Sequence, residues 1–267
     1  MKLLIYGIDG GDLEIMKIFK DQMPFLMDFI EKNDSIHLEE DLFNRGWVEI
    51  LTGKNGSETR GFYMAPKLDG THKFTTSFKL SELDNREDVK YIWELAEAND
   101  MPYCVMNVPT TTPVPKKGKG KVIVGSAGGG LNRIEGIPQE LVSRDELISF
   151  LEKRKYIVDI RIPNEEINST DGLFEQLSKK ETTRTDVFID LCNQESAKFG
   201  FLVNRGNTIV EYLSRFEIES YKEEKVRDKW IWKLLESHFK ELDNQIRKLY
   251  ENLKPEVYIT SISKKKS

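Results

Sequence analysis

The sequence predicts an α/β fold with a mainly parallel central sheet and helices on both of its faces. Three observations carry that prediction. Leu3-Leu4-Ile5-Tyr6-Gly7-Ile8 has the continuous hydrophobicity of a strand buried on both sides. Further short apolar runs recur at Tyr103–Val108, Lys121–Val124, Phe199–Val203 and Val257–Ser261. Segments with helical spacing separate them, so successive strands are joined by crossovers rather than hairpins.

Each element has its own signal. The first strand stops at Asp9-Gly10-Gly11, and Leu13 to Phe19 then carries helical spacing. Pro24 suits the first turn of a helix that puts Phe25, Leu26, Phe29 and Ile30 on one face. A short strand is expected near Ile36-His37-Leu38, and a helix from Trp47 to Leu51 that halts at Gly53. Residues 55–87 are polar and weakly periodic, and read as a long excursion near the sheet edge. Val89 to Ala98 is amphipathic, with Tyr91, Ile92, Leu95 and Ala96 turned inward. Within 131–170, a helix near Arg144–Lys153 and a strand at Tyr156–Ile160 predict a small inserted lobe over the active edge. Leu173 to Asn193 is a long helix. Residues 208–252 are helical throughout, too long for one uninterrupted helix, and a break is expected near Phe216–Tyr221.

Composition narrows the function classes. The 267 residues suit a single domain, 1–267, and 39% apolar content allows a sizeable core. Charged residues reach 32%, mixed in sign, with a net charge of −5 and no basic stripe interleaved with aromatics. That argues against nucleic acid as an obligatory partner. The basic cluster Lys116-Lys117-Gly118-Lys119-Gly120-Lys121 reads as a solvated loop rather than a phosphate clamp, and Lys264-Lys265-Lys266 as a solubilising tail. Cys104 and Cys192 sit in apolar surroundings and read as reduced core residues. No stretch has the length of a membrane span and no secretory pattern precedes the first strand, so the expected compartment is the cytoplasm.

Asp9 is the most informative single residue. In an open α/β sheet, ligands bind at the carboxyl ends of the strands. A carboxylate there, followed by two glycines that permit a sharp turn, suits a metal or phosphate site. The competing reading is that Asp9 merely caps the next helix.

Several ordered segments then resemble a known family. They are Gly7-Ile8-Asp9-Gly10, Met23-Pro24-Phe25-Leu26, the stretch from Gly46-Trp47 through Thr52-Gly53-Lys54-Asn55, Val105-Met106-Asn107-Val108-Pro109-Thr110-Thr111-Thr112-Pro113, and Leu242-Asp243-Asn244-Gln245-Ile246-Arg247-Lys248-Leu249. In order and spacing they resemble the type I phosphodiesterase and nucleotide pyrophosphatase branch of the alkaline phosphatase superfamily, over Leu3 to about Ser261. The resemblance implies an alkaline phosphatase-like core. It also implies two zinc-type ions at the strand ends, which activate a Thr or Ser alkoxide and clamp the phosphoryl group. Asp9 matches the first metal ligand of that pattern.

The chain departs from the pattern elsewhere. The nucleophile position falls on Phe43, which has no nucleophilic atom; its neighbour Arg45 suits an anion. The Asp-x-x-x-His slot falls on Asn207 and Glu211, and the Asp-His-Gly slot on Ser261-Ile262-Ser263. His37, His72 and His238 match none of the ligand places, and His238 reads as a surface or boundary residue of an amphipathic helix. The hydroxyls of Thr110, Thr111 and Thr112 suit phosphate oxygens, or hydrogen bonds to their own loop.

Two functions are therefore expected to compete. The preferred one is a catalytically degenerate relative with no cofactor, acting as a binding or assembly protein. Its ligand crevice would be formed by Asp9, Gly10, Arg45, Thr52, Lys54 and Asn55, and its partner would be a phosphate-containing small molecule or a protein. The alternative is a divergent phosphodiesterase, in which Asp9, Asn207 and Glu211 share one divalent cation (Mg²⁺, Mn²⁺ or Zn²⁺) and Thr52 or a metal-bound water attacks.

Overall fold

The computed structural model describes residues 1–36, 46–62, 65–66, 70–71, 73–75, 78–125, 137–158 and 169–262. In chain order the elements are β1 (Leu3–Ile8), α1 (Leu13–Ile18), α2 (Pro24–Lys32), α3 (Gly46–Thr52), α4 (Gly56–Thr59), β2 (Ala65–Pro66), β3 (Phe74–Thr75), α5 (Ile92–Ala98), β4 (Tyr103–Met106), β5 (Lys121–Ile123), α6 (Glu146–Lys153), α7 (Thr170–Gln194), β6 (Phe199–Asn204), α8 (Gly206–Leu213), α9 (Arg215–Glu224), α10 (Lys229–Leu253) and β7 (Val257–Ile262). Five strands form one sheet in the order β5-β4-β6-β1-β7, and every pairing in it is parallel. β2 and β3 form a separate antiparallel pair.

The two-sided burial expected of such a sheet is written residue by residue. Leu4, Tyr6 and Ile8 of β1, Cys104 and Met106 of β4, and Leu202 of β6 face a core shared with α1, α2, α6, α7 and α10. Ile5, Tyr103, Val105, Phe199, Phe201 and Val203 face the opposite core, shared with α3 and α5. This period-2 alternation across strands apolar at nearly every position explains why they read as continuous hydrophobic runs. Connections from β4 and β6 leave in opposite directions, to β5 and to β7. Adjacent strands with diverging connections open a crevice at their carboxyl ends, where α/β folds place ligands.

Helix signals act as their residue types dictate. Asp12 caps α1, its carboxylate accepting from Glu14 N at 2.8 Å. Pro24 opens α2, whose free N–H groups at Phe25 and Leu26 are taken up by the buried Asp243 of α10 at 3.2 and 2.8 Å. Gly53, at φ 66, ends α3 where its backbone must turn left-handed. α7 runs 25 residues, close to the length read from its pattern.

Several expectations are corrected. The helical stretch after residue 208 breaks at Ser214 and at Lys225–Asp228, not at Phe216–Tyr221. Lys225 takes φ 59, and Asp228 restarts the chain as the cap of α10, accepting from Trp230 N and Ile231 N. Tyr156, Ile157 and Val158 form no strand. The Ile157 and Val158 carbonyls instead accept from the Arg184 guanidinium, and the Tyr156 hydroxyl donates to Asn107 Oδ1 at 2.6 Å. Ile36 is an exposed coil residue; His37 and Leu38 lie outside the described residues. Of the segment 131–170, residues 137–158 pack into the main core through Leu147, Phe150 and Leu151. In the basic cluster, Lys117 is not simply solvated: its ammonium donates to the carbonyls of Arg86 and Val89, both at 2.8 Å.

Candidate functional site

The site is built on the tips of β1 and β6. The ladder continues one residue past β1, with Asp9 N donating to Asn204 O at 2.9 Å. Gly10 then takes φ 72, and a β-carbon there would lie 2.6 Å from Thr208 Oγ1 and 2.9 Å from Thr208 Cα. The turn thus needs glycine twice over, for its backbone angle and for the approach of α8. Because Asp12 supplies the cap of α1, Asp9 is released from that role, and the helix-cap reading of Asp9 is corrected.

Protein donors surround the Asp9 carboxylate. Trp47 Nε1 donates to Oδ1 at 2.7 Å. Thr208 Oγ1 stands 3.0 Å from Oδ2 and 2.7 Å from the Asp9 carbonyl, its single proton serving one of them at a time. Arg205 Nε lies 3.7 Å from Oδ2. The indole reaches the strand tip across Gly7, where a β-carbon would stand 2.3 Å from the Trp47 ring. α3 presents that ring because Trp47, Val48 and Leu51 form its buried face.

Asn207 and Glu211 belong to a second group. Asn207 is fully buried; its Nδ2 donates to Glu211 Oε1 at 2.9 Å, and its Oδ1 lies 3.1 Å from His238 Nε2. With the amide so oriented, His238 carries its proton on Nε2. Burial pushes the Glu211 carboxyl up to about 7; the Asn207 hydrogen bond opposes this, while the nearby Asp12 charge adds to it. Burial pushes His238 down to about 4. His238 is thus neutral at physiological pH, and Glu211 keeps its proton to a higher pH than an ordinary carboxyl. The α10 helix holds His238 at the boundary as expected, edge-on to Phe174 and Phe239, but with a partner that spacing alone did not reveal.

Behind this group lies a buried polar layer between α7 and α10. Glu181 Oε1 is 3.4 Å from both Lys180 Nζ and Arg184 Nη1, and all three side chains are buried. Gly206 leaves the room that Glu181 occupies. Asn204 Nδ2 donates to Gln245 Oε1 at 3.0 Å, and Tyr6 OH to the same oxygen at 3.4 Å. Glu181, Asn204, Gln245 and His238 share a cavity of ≈ 10 Å³, about the size of one water.

The remaining candidates are engaged locally. Thr52 Oγ1 donates to Val48 O at 2.7 Å at the end of α3. Lys54 pairs with Glu58 at 3.0 Å. Asn55 caps α4 in a reciprocal box with Glu58. Of the six residues expected to form an anion crevice, these three bond within the end of α3 and the start of α4. Arg45, Phe43 and His37 lie outside the described residues, as does His72. Thr111 and Thr112 bond the carbonyls of Val108 and Gly125, as the loop reading expected, whereas the buried Thr110 hydroxyl has no hydrogen-bond partner among the described residues. The structure divides the proposed cation ligands, Asp9 on one side and Asn207 with Glu211 on the other, into two hydrogen-bonded groups. Among the described residues, no set of three or more His, Cys, Asp or Glu side chains is placed to hold a metal ion.

Sequence reasoning missed Trp47, Arg205 and Thr208 as partners of Asp9. A signal existed for the first. A glycine inside a strand marks close approach by another group, and Gly7 marks the seat of the indole. For the others, Asn204-Arg205-Gly206 repeats the strand–polar–glycine pattern that made Asp9 conspicuous.

No family model, curated protein or solved structure matches this chain.

Two measurements probe the site. Trp47→Phe removes the N–H that serves Asp9 together with part of the buried indole. It is expected to cost about 2–4 kcal/mol in urea unfolding, from an under-satisfied, partly buried acceptor and the space left behind; a neutral result would show that the indole does not hold the strand tip. Glu211 has a folded pKa above its unfolded value, so its contribution to stability is present at acid pH and is lost as pH rises towards about 7. Glu211→Gln keeps the acceptor for Asn207 and is expected to stabilise the protein at pH 8 while leaving it unchanged near pH 4, read from paired urea midpoints. Equal effects at both pH values would contradict the assignment.

Proposed function

We propose that this chain is a catalytically degenerate relative of the type I phosphodiesterases and nucleotide pyrophosphatases, retained as a binding or assembly protein in the cytoplasm. The five-stranded parallel sheet and the Asp-Gly turn at the tip of β1 support the kinship. One observation carries the loss of chemistry. Among the described residues, the groups that the hydrolase reading would give to metal or nucleophile work have internal partners: Asp9 has Trp47 and Thr208, Asn207 has Glu211 and His238, and Thr52 has Val48. A metal ion binding Asp9 would have to compete with an indole N–H at 2.7 Å. The Thr208 hydroxyl sits within hydrogen-bond reach of the Asp9 carbonyl and carboxylate oxygens.

In this reading the carboxyl ends of the strands serve recognition. The partner is a protein or a phosphate-containing small molecule. The competing hydrolase would need one divalent cation between Asp9 and the Asn207–Glu211 pair, which the two hydrogen-bonded groups oppose.

Metal analysis of the purified protein, together with hydrolysis of bis(p-nitrophenyl) phosphate in added Mg²⁺, Mn²⁺ or Zn²⁺, separates the two. The expected result is no stoichiometric metal and no turnover above that of Asp9→Ala. Two bound zinc ions with turnover lost in Asp9→Ala would overturn the proposal.

A further inference from the structure

The two cysteines, read from sequence as reduced core residues, lie in one core of the fold. Cys104 is the second residue of β4 and faces the α7 side of the sheet; Cys192 lies in the last turns of α7, in the same core. The connection from α7 into β6 holds them in place. Ala197 N donates to Cys192 O at 2.8 Å, and Lys198 N and Phe199 N donate to Pro102 O at 2.7 and 3.1 Å. One residue further on, Gly200 is in register with Cys104. Gly200 has no side chain, so Phe188, one helical turn before Cys192, packs directly onto the strand; a β-carbon on Gly200 would meet its ring at 3.1 Å. Both cysteines are free and buried in the same core, on elements whose Cα atoms approach within 8 Å of one another.

We infer that Cys104 and Cys192 form a latent redox staple, a dithiol that closes to a disulfide joining β4 to α7 when a small-molecule disulfide is supplied. The step is an ordinary exchange. One thiolate attacks a sulfur of the reagent disulfide, forming a mixed disulfide and releasing one thiol. The second thiolate displaces the second thiol from it. The two cysteines are oxidised by two electrons, the reagent is reduced to two thiols, and two protons pass from the cysteines to them.

The surroundings favour the product over the intermediates. A disulfide is uncharged and suits an apolar core, whereas each thiolate on the way is a buried charge. Burial and the neighbouring thiol push Cys192 well above the usual thiol range, and the chain's N-terminal ammonium pulls weakly the other way. Closure is therefore slow at neutral pH and faster in alkali. The cross-link spans a long loop, between residues 104 and 192, so it restricts the unfolded chain strongly.

The full-length protein, incubated with oxidised glutathione and then quenched with acid, tests this. The expected product has no free thiol by titration in denaturant and a mass two hydrogens lower. It yields a tryptic peptide pair joined through Cys104 and Cys192, and a melting temperature several degrees higher that dithiothreitol reverses. Cys192→Ser should show neither the mass loss nor the rise in melting temperature. Two unreacted thiols after prolonged treatment at pH 8.5, or glutathione adducts on both residues without a cross-link, would overturn the inference. The wild-type peptide map decides the question even if the serine variant does not fold.

Discussion

A carboxylate at the tip of β1 is the constraint around which this structure is arranged. β1 is flanked by β6 and β7 and covered on both faces, so Asp9 ends an otherwise apolar strand close to the core. A charge in that position needs donors. Two are supplied, by Trp47 of α3 across one face and by Thr208 of α8 from the next strand's crossover, and the Arg205 guanidinium at the end of β6 adds a positive charge 3.7 Å away. Gly7 and Gly10 are the two places where side chains are omitted so that these donors can approach. The anchor therefore ties the first strand, the first helix of one face and the β6–α8 turn into one unit.

The same logic governs the other polar groups near the strand ends. Asn207 bridges a neutral imidazole and a carboxyl that keeps its proton to a higher pH than usual, which limits the charge buried there. Glu181 lies between Lys180 and Arg184, and Asn204 with Gln245 closes the gap to Tyr6. Layers of this kind are costly if any member is left unpaired. Here they form a buried polar interior near the strand ends.

Much of the architecture was legible because its signals are local and repetitive. Leu3–Ile8 and Phe199–Val203 are apolar at nearly every position because both faces are covered, and Pro24 and Gly53 mark helix boundaries by backbone geometry alone. The break after residue 208 was misplaced because Ser214 and Asp228 act through side-chain hydrogen bonds, which hydrophobic periodicity does not register. At the site, Asp9 was found from its place at a strand end, but its partners were not. Trp47 lies 38 residues away and Thr208 199 residues away. Thr52, Lys54 and Asn55 looked like an anion crevice because their residue types suit one; in space their short-range bonds to α3 and α4 take precedence.

The account rests on Asp9 being an internal anchor, and the indole proton of Trp47 reports on it directly. In protein carrying ¹⁵N-labelled tryptophan, the Trp47 Nε1–H signal can be followed while Mn²⁺ is added. An anchored carboxylate predicts a sharp, slowly exchanging indole resonance that excess Mn²⁺ leaves unbroadened. Loss of that resonance at stoichiometric Mn²⁺, with recovery on chelation, would place a cation on Asp9 and contradict the account.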